Sequence, residues 1–97
     1  MRNRDEMKEI TIERDHIKRA ADSGAVCIKG KVEGRAAFPD QLILKPKGFY
    51  WVEFKVPGNP LQDDQVEMHK VLRKKGHKVY VCSSKVTSTV ILVSEFG

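Results

Sequence analysis

The chain carries two segments whose apolar residues recur at helical spacing. In the first, Ile10, Ile17 and Ala20 are separated by seven and three positions, and a glycine follows as a stop signal. This spacing predicts a helix over residues 5–22. The second segment shows the same kind of pattern and also ends at a glycine, which predicts a helix over residues 62–75.

Four short runs rich in apolar and β-branched residues predict strands between and after these helices. The runs are residues 25–28, 38–44, 49–56 and 79–82. The last segment, residues 83–97, fits either a strand or a helix. The pattern therefore predicts a single α/β domain over residues 1–97. Its mixed central sheet is flanked by helices in the order α-β-β-β-α-β, followed by the tail.

Composition narrows the functional classes without selecting one. The chain has 97 residues, with 18 basic and 13 acidic side chains, and its net charge of +5 permits binding to a polyanion. No apolar run approaches the roughly 18–20 residues needed to span a bilayer, so no membrane partner is expected. The charged N-terminus argues against secretion, and Cys27 and Cys82 lack the spacing of a zinc site. We therefore expect a cytoplasmic protein.

Glu53 and Lys55 interrupt the most apolar strand of the chain. Side chains two apart on a strand share a face, so these two project together while Val52 and Phe54 point the other way. A carboxylate and an ammonium on such a strand are costly to bury unless they are paired or bound to a metal ion. Taken alone, the pair is more often a plain salt bridge or a strand with one face in water.

Asp40 follows Pro39 near the start of the preceding strand. An aspartate after a proline usually marks a turn, but the position of Asp40 gives it more weight. A hairpin turn over residues 45–48 would bring the two strands together and set Asp40 close to the level of Glu53. Two converging carboxylates repel each other, and a divalent cation relieves that repulsion.

Two polar residues fall on the apolar faces of the predicted helices. Glu13 lies three positions after Ile10, and Gln65 lies three positions before Met68, so both are expected to point towards the core. Each of them, taken alone, is more often a boundary residue that reaches water.

Together these residues predict a metal-dependent hydrolytic centre. Asp40 and Glu53 would hold Mg²⁺ or Mn²⁺, with Glu13 as a third acid, bound directly or through water. The backbone carbonyl of Phe54 could be a further ligand. Lys55 would position or deprotonate the attacking water, or steady the phosphate. An ion of this kind polarises a phosphoryl oxygen and lowers the pKa of its bound water.

The spacing of these residues resembles a known nuclease signature. Pro39-Asp40, twelve further residues and then Glu53-Phe54-Lys55 is similar to the PD-(D/E)xK motif. The longer pattern resembles the VRR-NUC family over about residues 10–83. The residues that carry this resemblance are Gly34-Arg35, Pro39-Asp40, Trp51-Val52-Glu53-Phe54-Lys55, Leu61, Gln65, Gly76 and Val79-Tyr80-Val81.

The resemblance implies a restriction-endonuclease-like fold and cleavage of DNA that depends on Mg²⁺ or Mn²⁺. It matches the family's metal-binding acids to Glu13, Asp40 and Glu53 and its catalytic lysine to Lys55. It also matches the family's motif glutamine to Gln65, which we expect to be catalytic together with Asp40, Glu53 and Lys55. Small members of this kind are similar to phage and bacterial proteins, which implies a bacterial or phage-infected host cell. They resemble Holliday junction resolvases in the substrate expected.

The 97 residues show no separate recognition domain, so we expect DNA shape and backbone to be read instead of base sequence. Seven cations are candidate phosphate contacts: Lys31, Arg35, Lys45, Lys47, Lys70, Arg73 and Lys74. Because a four-way junction is nearly two-fold symmetric, we expect a homodimer that makes two matched cuts.

Three alternative functions stay open. The chain could be a nuclease for flap, nicked or linear DNA, or a non-catalytic DNA-binding module with the same fold. It could also be a protein-binding domain in which the acids and Lys55 form a structural network of salt bridges.

Overall fold

The computed structural model of the chain describes residues 3–30 and 37–97. Within them, the elements follow one another in the predicted order, and the tail adds a final helix. The elements are α1 (Arg4–Asp22), β1 (Val26–Lys29), β2 (Gln41–Leu44), β3 (Phe49–Phe54), α2 (Asp63–Lys74), β4 (Val79–Cys82) and α3 (Lys85–Phe96). The tail, for which a strand and a helix were both open, is helical from a cap at Ser84, whose side chain accepts a hydrogen bond from the Thr87 amide.

The four strands form one mixed sheet in the order β1-β2-β3-β4. The pairs β1–β2 and β2–β3 are antiparallel, whereas β3–β4 is parallel, with α2 as the crossover connection. This confirms the predicted α/β class and the mixed central sheet flanked by helices. The strand bounds differ from the prediction at two places that matter for the site: β2 begins at Gln41, after Pro39 and Asp40, and β3 ends at Phe54, before Lys55.

The two faces of β3 meet different helices. Tyr50 and Phe54 pack against His16 of α1, with the Tyr50 hydroxyl 2.8 Å from His16 Nε2. Glu53, on the opposite face, meets His69 of α2. The hydrophobic core lies on the first of these faces, where α1 and α3 also pack against each other.

The His16 imidazole is fully buried in this core, and both of its nitrogens are hydrogen-bonded. Its Nδ1 atom lies 2.7 Å from the Ser88 hydroxyl, and Nε2 meets Tyr50. Burial, together with the nearby Arg19 charge, lowers the pKa of His16 to about 4. His16 is therefore a neutral, satisfied group that links α1, β3 and α3.

No helix among the described residues is both long enough and apolar enough to cross a membrane.

Candidate active site

Asp40 and Glu53 meet where the hairpin of β2 and β3 ends. The strands pair Gln41 with Val52, so continuing the register by one position sets Asp40 opposite Glu53. The Asp40 carboxylate turns back onto the neighbouring strand, where its Oδ2 atom accepts a hydrogen bond of 2.8 Å from the Phe54 amide. The two acids that the hairpin predicts to converge are therefore neighbours in the structure.

Pro39 explains why the ladder stops here and why a carbonyl is left over. In an antiparallel ladder, every second pair of opposite residues is hydrogen-bonded, and the bond from the Lys45 amide to the Gly48 carbonyl identifies Lys45 and Gly48 as one such pair. Continuing the register in steps of two makes Pro39 and Phe54 another hydrogen-bonding pair. Proline has no N–H to donate. The Phe54 carbonyl therefore receives no donor from the residue opposite it, while the Phe54 amide donates its hydrogen bond to the Asp40 carboxylate. This carbonyl was predicted as a metal ligand, and its position is compatible with that role.

Glu53 is a buried carboxyl group among other acids. Its residue is 1 % exposed, and its pKa is raised to about 9, first by burial and then by the Asp40 carboxyl group beside it. Glu9 adds to the rise, while the nearby Lys55 charge opposes it. Ionised Glu53 is therefore under-compensated by the protein, which is the situation that a bound cation relieves. Carboxylate and carbonyl oxygens are donors that suit Mg²⁺ or Mn²⁺, so the residues present fit such an ion.

Lys55 lies one residue beyond β3 but stays in register with β4. Its amide donates a hydrogen bond of 3.1 Å to the Cys82 carbonyl, which continues the parallel pairing. Because this pairing holds Lys55 two positions after Glu53, the two side chains share a face. The Lys55 side chain is half-buried, and its charge acts on Glu53. Its role in catalysis stays a prediction.

The third predicted acid, Glu13, lies on α1 and faces inward, but it is held by another group. Its Oε2 atom accepts a hydrogen bond of 2.8 Å from the side-chain amide of buried Gln41. Across the described residues, no set of three or more Asp, Glu, His or Cys side chains is arranged to hold a metal ion. Asp40 and Glu53 are therefore the acids that the strand register sets side by side, and a role for Glu13 in metal binding stays a prediction.

Glu9 is an acid of this site that sequence reasoning missed. It is half-buried one turn before Glu13 on α1, and its Oε1 atom lies 3.5 Å from the Val56 amide, just beyond β3. The sequence contained a signal for Glu9: it lies four positions before Glu13, and residues four apart share a helix face. Since Glu13 was predicted to face inward, Glu9 could have been predicted to do so as well.

The α2 helix covers Glu53 with a histidine that was also missed. His69 is 1 % exposed, and its Nε2 atom lies 3.4 Å from Glu53 Oε1. Burial, with the neighbouring Arg73 charge, lowers the pKa of His69, so the ring is neutral near pH 7. Gln65, four positions earlier, is half-buried, and its side-chain oxygen accepts a hydrogen bond of 2.9 Å from the Gln62 amide at the start of α2. This contact gives Gln65 a role in capping the helix, and its catalytic role stays a prediction.

Among the described residues, the predicted DNA-contacting cations differ in place and in availability. Lys31 and Arg35 lie outside the described residues. Lys45 is not available for phosphate, because its ammonium is 2.9 Å from Glu95 Oε1 and its side chain is 14 % exposed. Lys45 is therefore part of an internal ion pair, and not the exposed phosphate contact that was predicted. Lys47 is exposed, but it lies in the turn at the far end of β3, roughly 20 Å from Glu53 at about 3.3 Å per residue.

The α2 cations remain candidate DNA contacts, and they differ in how strongly other groups of the protein hold them. Lys74 and Lys70 are exposed, and Lys70 lies 3.3 Å from Glu67 in a solvent-exposed pair that costs little to break. Arg73 is exposed but donates a hydrogen bond of 2.8 Å to the Val79 carbonyl. These three residues lie on the same helix as His69, and their contact with DNA stays a prediction.

Comparison with known proteins decides the family. The model of the VRR-NUC domain matches residues 11–86. This chain belongs to the VRR-NUC family. This match confirms the resemblance seen in the sequence. The matched segment contains Glu13, Asp40, Glu53, Lys55 and Gln65, whereas Glu9 lies before it.

A curated relative and a solved structure agree with this assignment. The chain is 30 % identical over 86 residues to "Putative nuclease p44" of Acyrthosiphon pisum secondary endosymbiont phage 1, covering 88 % of this chain and 92 % of that protein. A solved VRR-NUC domain is 27 % identical and superposes with a TM-score of 0.83, covering 93 % of this chain and 98 % of that one. The chain therefore has the VRR-NUC fold and is a nuclease domain.

Proposed function

We propose that this VRR-NUC domain is a Mg²⁺- or Mn²⁺-dependent endonuclease that hydrolyses DNA phosphodiesters and prefers branched DNA, such as a four-way junction. The observation that carries the metal dependence is the neighbouring pair of Asp40 and Glu53, of which Glu53 is buried among acids. Ionised Glu53 beside Asp40 is costly in a buried place unless a cation joins the pair.

The residues divide the work by position. Asp40, Glu53 and the Phe54 carbonyl would hold the ion, which when bound polarises the phosphoryl oxygen and lowers the pKa of its water. Lys55 shares the face of Glu53, so its ammonium can orient the attacking water or balance charge on the phosphate. Glu13, fixed by Gln41, would contribute through water.

The preference for branched DNA and a homodimeric assembly is supported by size and symmetry. A four-way junction needs two matched cuts, and a two-fold dimer presents two identical sites. The edge strand β1 keeps Val26 and Ile28 61 % and 44 % exposed, which offers apolar area for a contact between copies. Light scattering on the protein alone and with junction DNA tests the assembly, and a strict monomer in both samples would contradict it.

The test of the activity is a cleavage panel. Four-way junction, flap and linear duplex DNA of matched sequence are incubated with wild type and Lys55→Ala, in Mg²⁺, Mn²⁺ or EDTA. We expect paired cuts in the junction that are absent in EDTA and in the variant. Cutting of flap or duplex instead would keep the active site and change the substrate. Binding without any cutting would reject the catalytic proposal in favour of a DNA-binding module.

A further inference from the structure

A groove of about 640 Å³ lies between the first turns of α1, the segment after β3 and the start of α3. Its apolar lining consists of Met7, Ile12, Val56 and Pro57. It adjoins the candidate active site through Glu9, whose Oε1 atom lies 3.5 Å from the Val56 amide and whose charge acts on Glu53. Met7 is 60 % exposed, so part of the apolar lining is open to solvent.

All charged side chains that line this groove are cations: Arg4, Lys8 and Lys85. All three are exposed, and none belongs to a salt bridge within the described residues. Three uncompensated cations around an apolar lining favour an occupant that is anionic and also has apolar faces. Duplex DNA supplies phosphates but hides its base faces in the stack, whereas an unpaired strand supplies both.

We propose that this groove binds an unpaired DNA strand leading into the active site, an inference that rests on the proposed function. The phosphates would lie on Arg4, Lys8 and Lys85, and unstacked bases would cover Met7 and Val56. Binding here would favour branched or frayed substrates over intact duplex, because only these substrates offer unpaired nucleotides beside the point of cleavage.

The test compares two variants of equal charge. One replaces the groove cations (Arg4→Ser, Lys8→Ser, Lys85→Ser), and the other replaces three exposed lysines elsewhere (Lys18→Ser, Lys29→Ser, Lys75→Ser). Affinity for a duplex with an unpaired arm and for the blunt duplex is measured by fluorescence anisotropy in EDTA over a range of salt. Cleavage by wild type in Mg²⁺, measured separately, tests the proposed function itself.

The groove variant should lose about tenfold or more in affinity for the armed duplex relative to the control, with a salt dependence smaller by about one per lost phosphate contact. Its affinity for blunt duplex should match that of the control. Equal losses in both variants would overturn the proposal, as would a groove variant that loses arm and duplex binding equally. Competition by polyglutamate as strong as by a single strand would assign the groove to an acidic peptide instead.

A second, independent observation concerns His69. Its ring is enclosed between α2 and β3, its Nε2 atom lies 3.4 Å from Glu53 Oε1, and its Nδ1 atom is buried without a hydrogen-bond partner among the described residues. A buried ring with one unsatisfied nitrogen is costly, whereas Leu72, three positions later on the same helix face, is buried with no polar side-chain atom to satisfy.

The geometry points to His69 as a positioning residue that fixes the Glu53 carboxylate for metal binding. A neutral imidazole with its proton on Nε2 donates to Glu53 Oε1, which holds one oxygen and leaves the other free towards Asp40. Partners of this kind, one step removed from the metal, tune affinity by about 10–100-fold. This role also rests on the proposed metal site.

His69→Leu removes the donor and keeps an apolar filler, His69→Gln restores a donor, and Leu72→Ala is a packing control on the same face. Mn²⁺ affinity is measured by calorimetry and the unfolding midpoint by circular dichroism. We expect His69→Leu to weaken Mn²⁺ binding by about 10–100-fold, His69→Gln to recover most of it, and Leu72→Ala to lower stability with affinity unchanged.

Wild-type affinity in His69→Leu, with wild type binding Mn²⁺, would overturn the positioning role and leave the metal site standing. A wild type that binds no Mn²⁺ would overturn both.

Discussion

Two buried carboxylates at opposite ends of the sheet have opposite surroundings. Glu95 of α3, whose side chain is 2 % exposed, receives Lys45 and Lys78 on Oε1 at 2.9 and 2.8 Å and the Tyr80 hydroxyl on Oε2. Burial alone would raise its pKa, but hydrogen bonds from these three groups outweigh burial and lower it. Glu53, equally buried, has acids for neighbours, and its pKa is raised to about 9.

The difference teaches how to separate a structural acid from a functional one. The protein supplies Glu95 with its own cations, so that carboxylate ties the tail to the β2–β3 turn and needs nothing further. Glu53 has one long contact, of 3.4 Å, with neutral His69, and the Lys55 charge only partly offsets the neighbouring acids. When Glu53 is ionised, its charge is therefore left for an external cation to balance. Each of the following predictions tests this contrast.

The largest expected effect is on catalysis. Glu53→Gln keeps the shape of the side chain but removes its charge, so cleavage should fall by about a thousandfold. Glu95→Gln should cleave within about twofold of wild type at a temperature where it is folded. Single-turnover rates on the preferred DNA measure both. Comparable losses in the two variants would erase the distinction between the acids.

Stability should respond in the reverse order. At pH 7 the carboxyl group of Glu53 is protonated in the metal-free protein, so Glu53→Gln should change the free energy of unfolding by less than about 0.5 kcal/mol. Glu95→Gln leaves half-buried Lys45 without an anionic partner and should cost about 2 kcal/mol. Urea denaturation in EDTA gives both values. A Glu53 variant that unfolds more easily than the Glu95 variant would favour a structural role for the acid pair.

The smallest expected effect is on the pH dependence of stability, through His16 in the hydrophobic core. His16 is neutral in the core, with a pKa of about 4 against an ordinary value near 6.5. The unfolded chain binds a proton below pH 6.5 that the folded chain does not bind, so stability is full above that pH and is lost as pH falls towards 4. His69, whose pKa is also lowered, adds to the same slope.

His16→Gln should therefore remove one of the two histidine contributions and flatten the decline of the unfolding midpoint between pH 6.5 and 5. A slope equal to that of wild type would show that His16 is already protonated in the fold or does not titrate in this range.

Much of the fold could be predicted, because hydrophobic period and turn residues are local properties. The hairpin turn at residues 45–48 sufficed to set Asp40 beside Glu53, and residues two apart on β3 had to share a face. His69 was within reach of the same reasoning: it lies four positions after Gln65, on the helix face already assigned to the interior.

Other features depended on contacts that no local pattern encodes. Lys45 was predicted to contact DNA because its ion pair with Glu95 could not be foreseen. Glu95 is fifty positions away, in a tail for which the sequence left strand and helix both open. The hydrogen bond from the Gln41 side chain to Glu13 likewise forms only when α1 is packed against the start of β2. Tertiary pairing of charges therefore decided which predicted site residues stayed available.

The most direct test of the account is calorimetric titration of Mn²⁺ into wild type, Glu53→Gln and Glu95→Gln at one pH and ionic strength. We expect wild type and Glu95→Gln to bind the ion with similar affinity, whereas Glu53→Gln should bind at least tenfold more weakly, on the order of the effects typical of metal-site substitutions. Equal binding by all three proteins, or none by wild type, would contradict the assignment of Asp40 and Glu53 as a metal site.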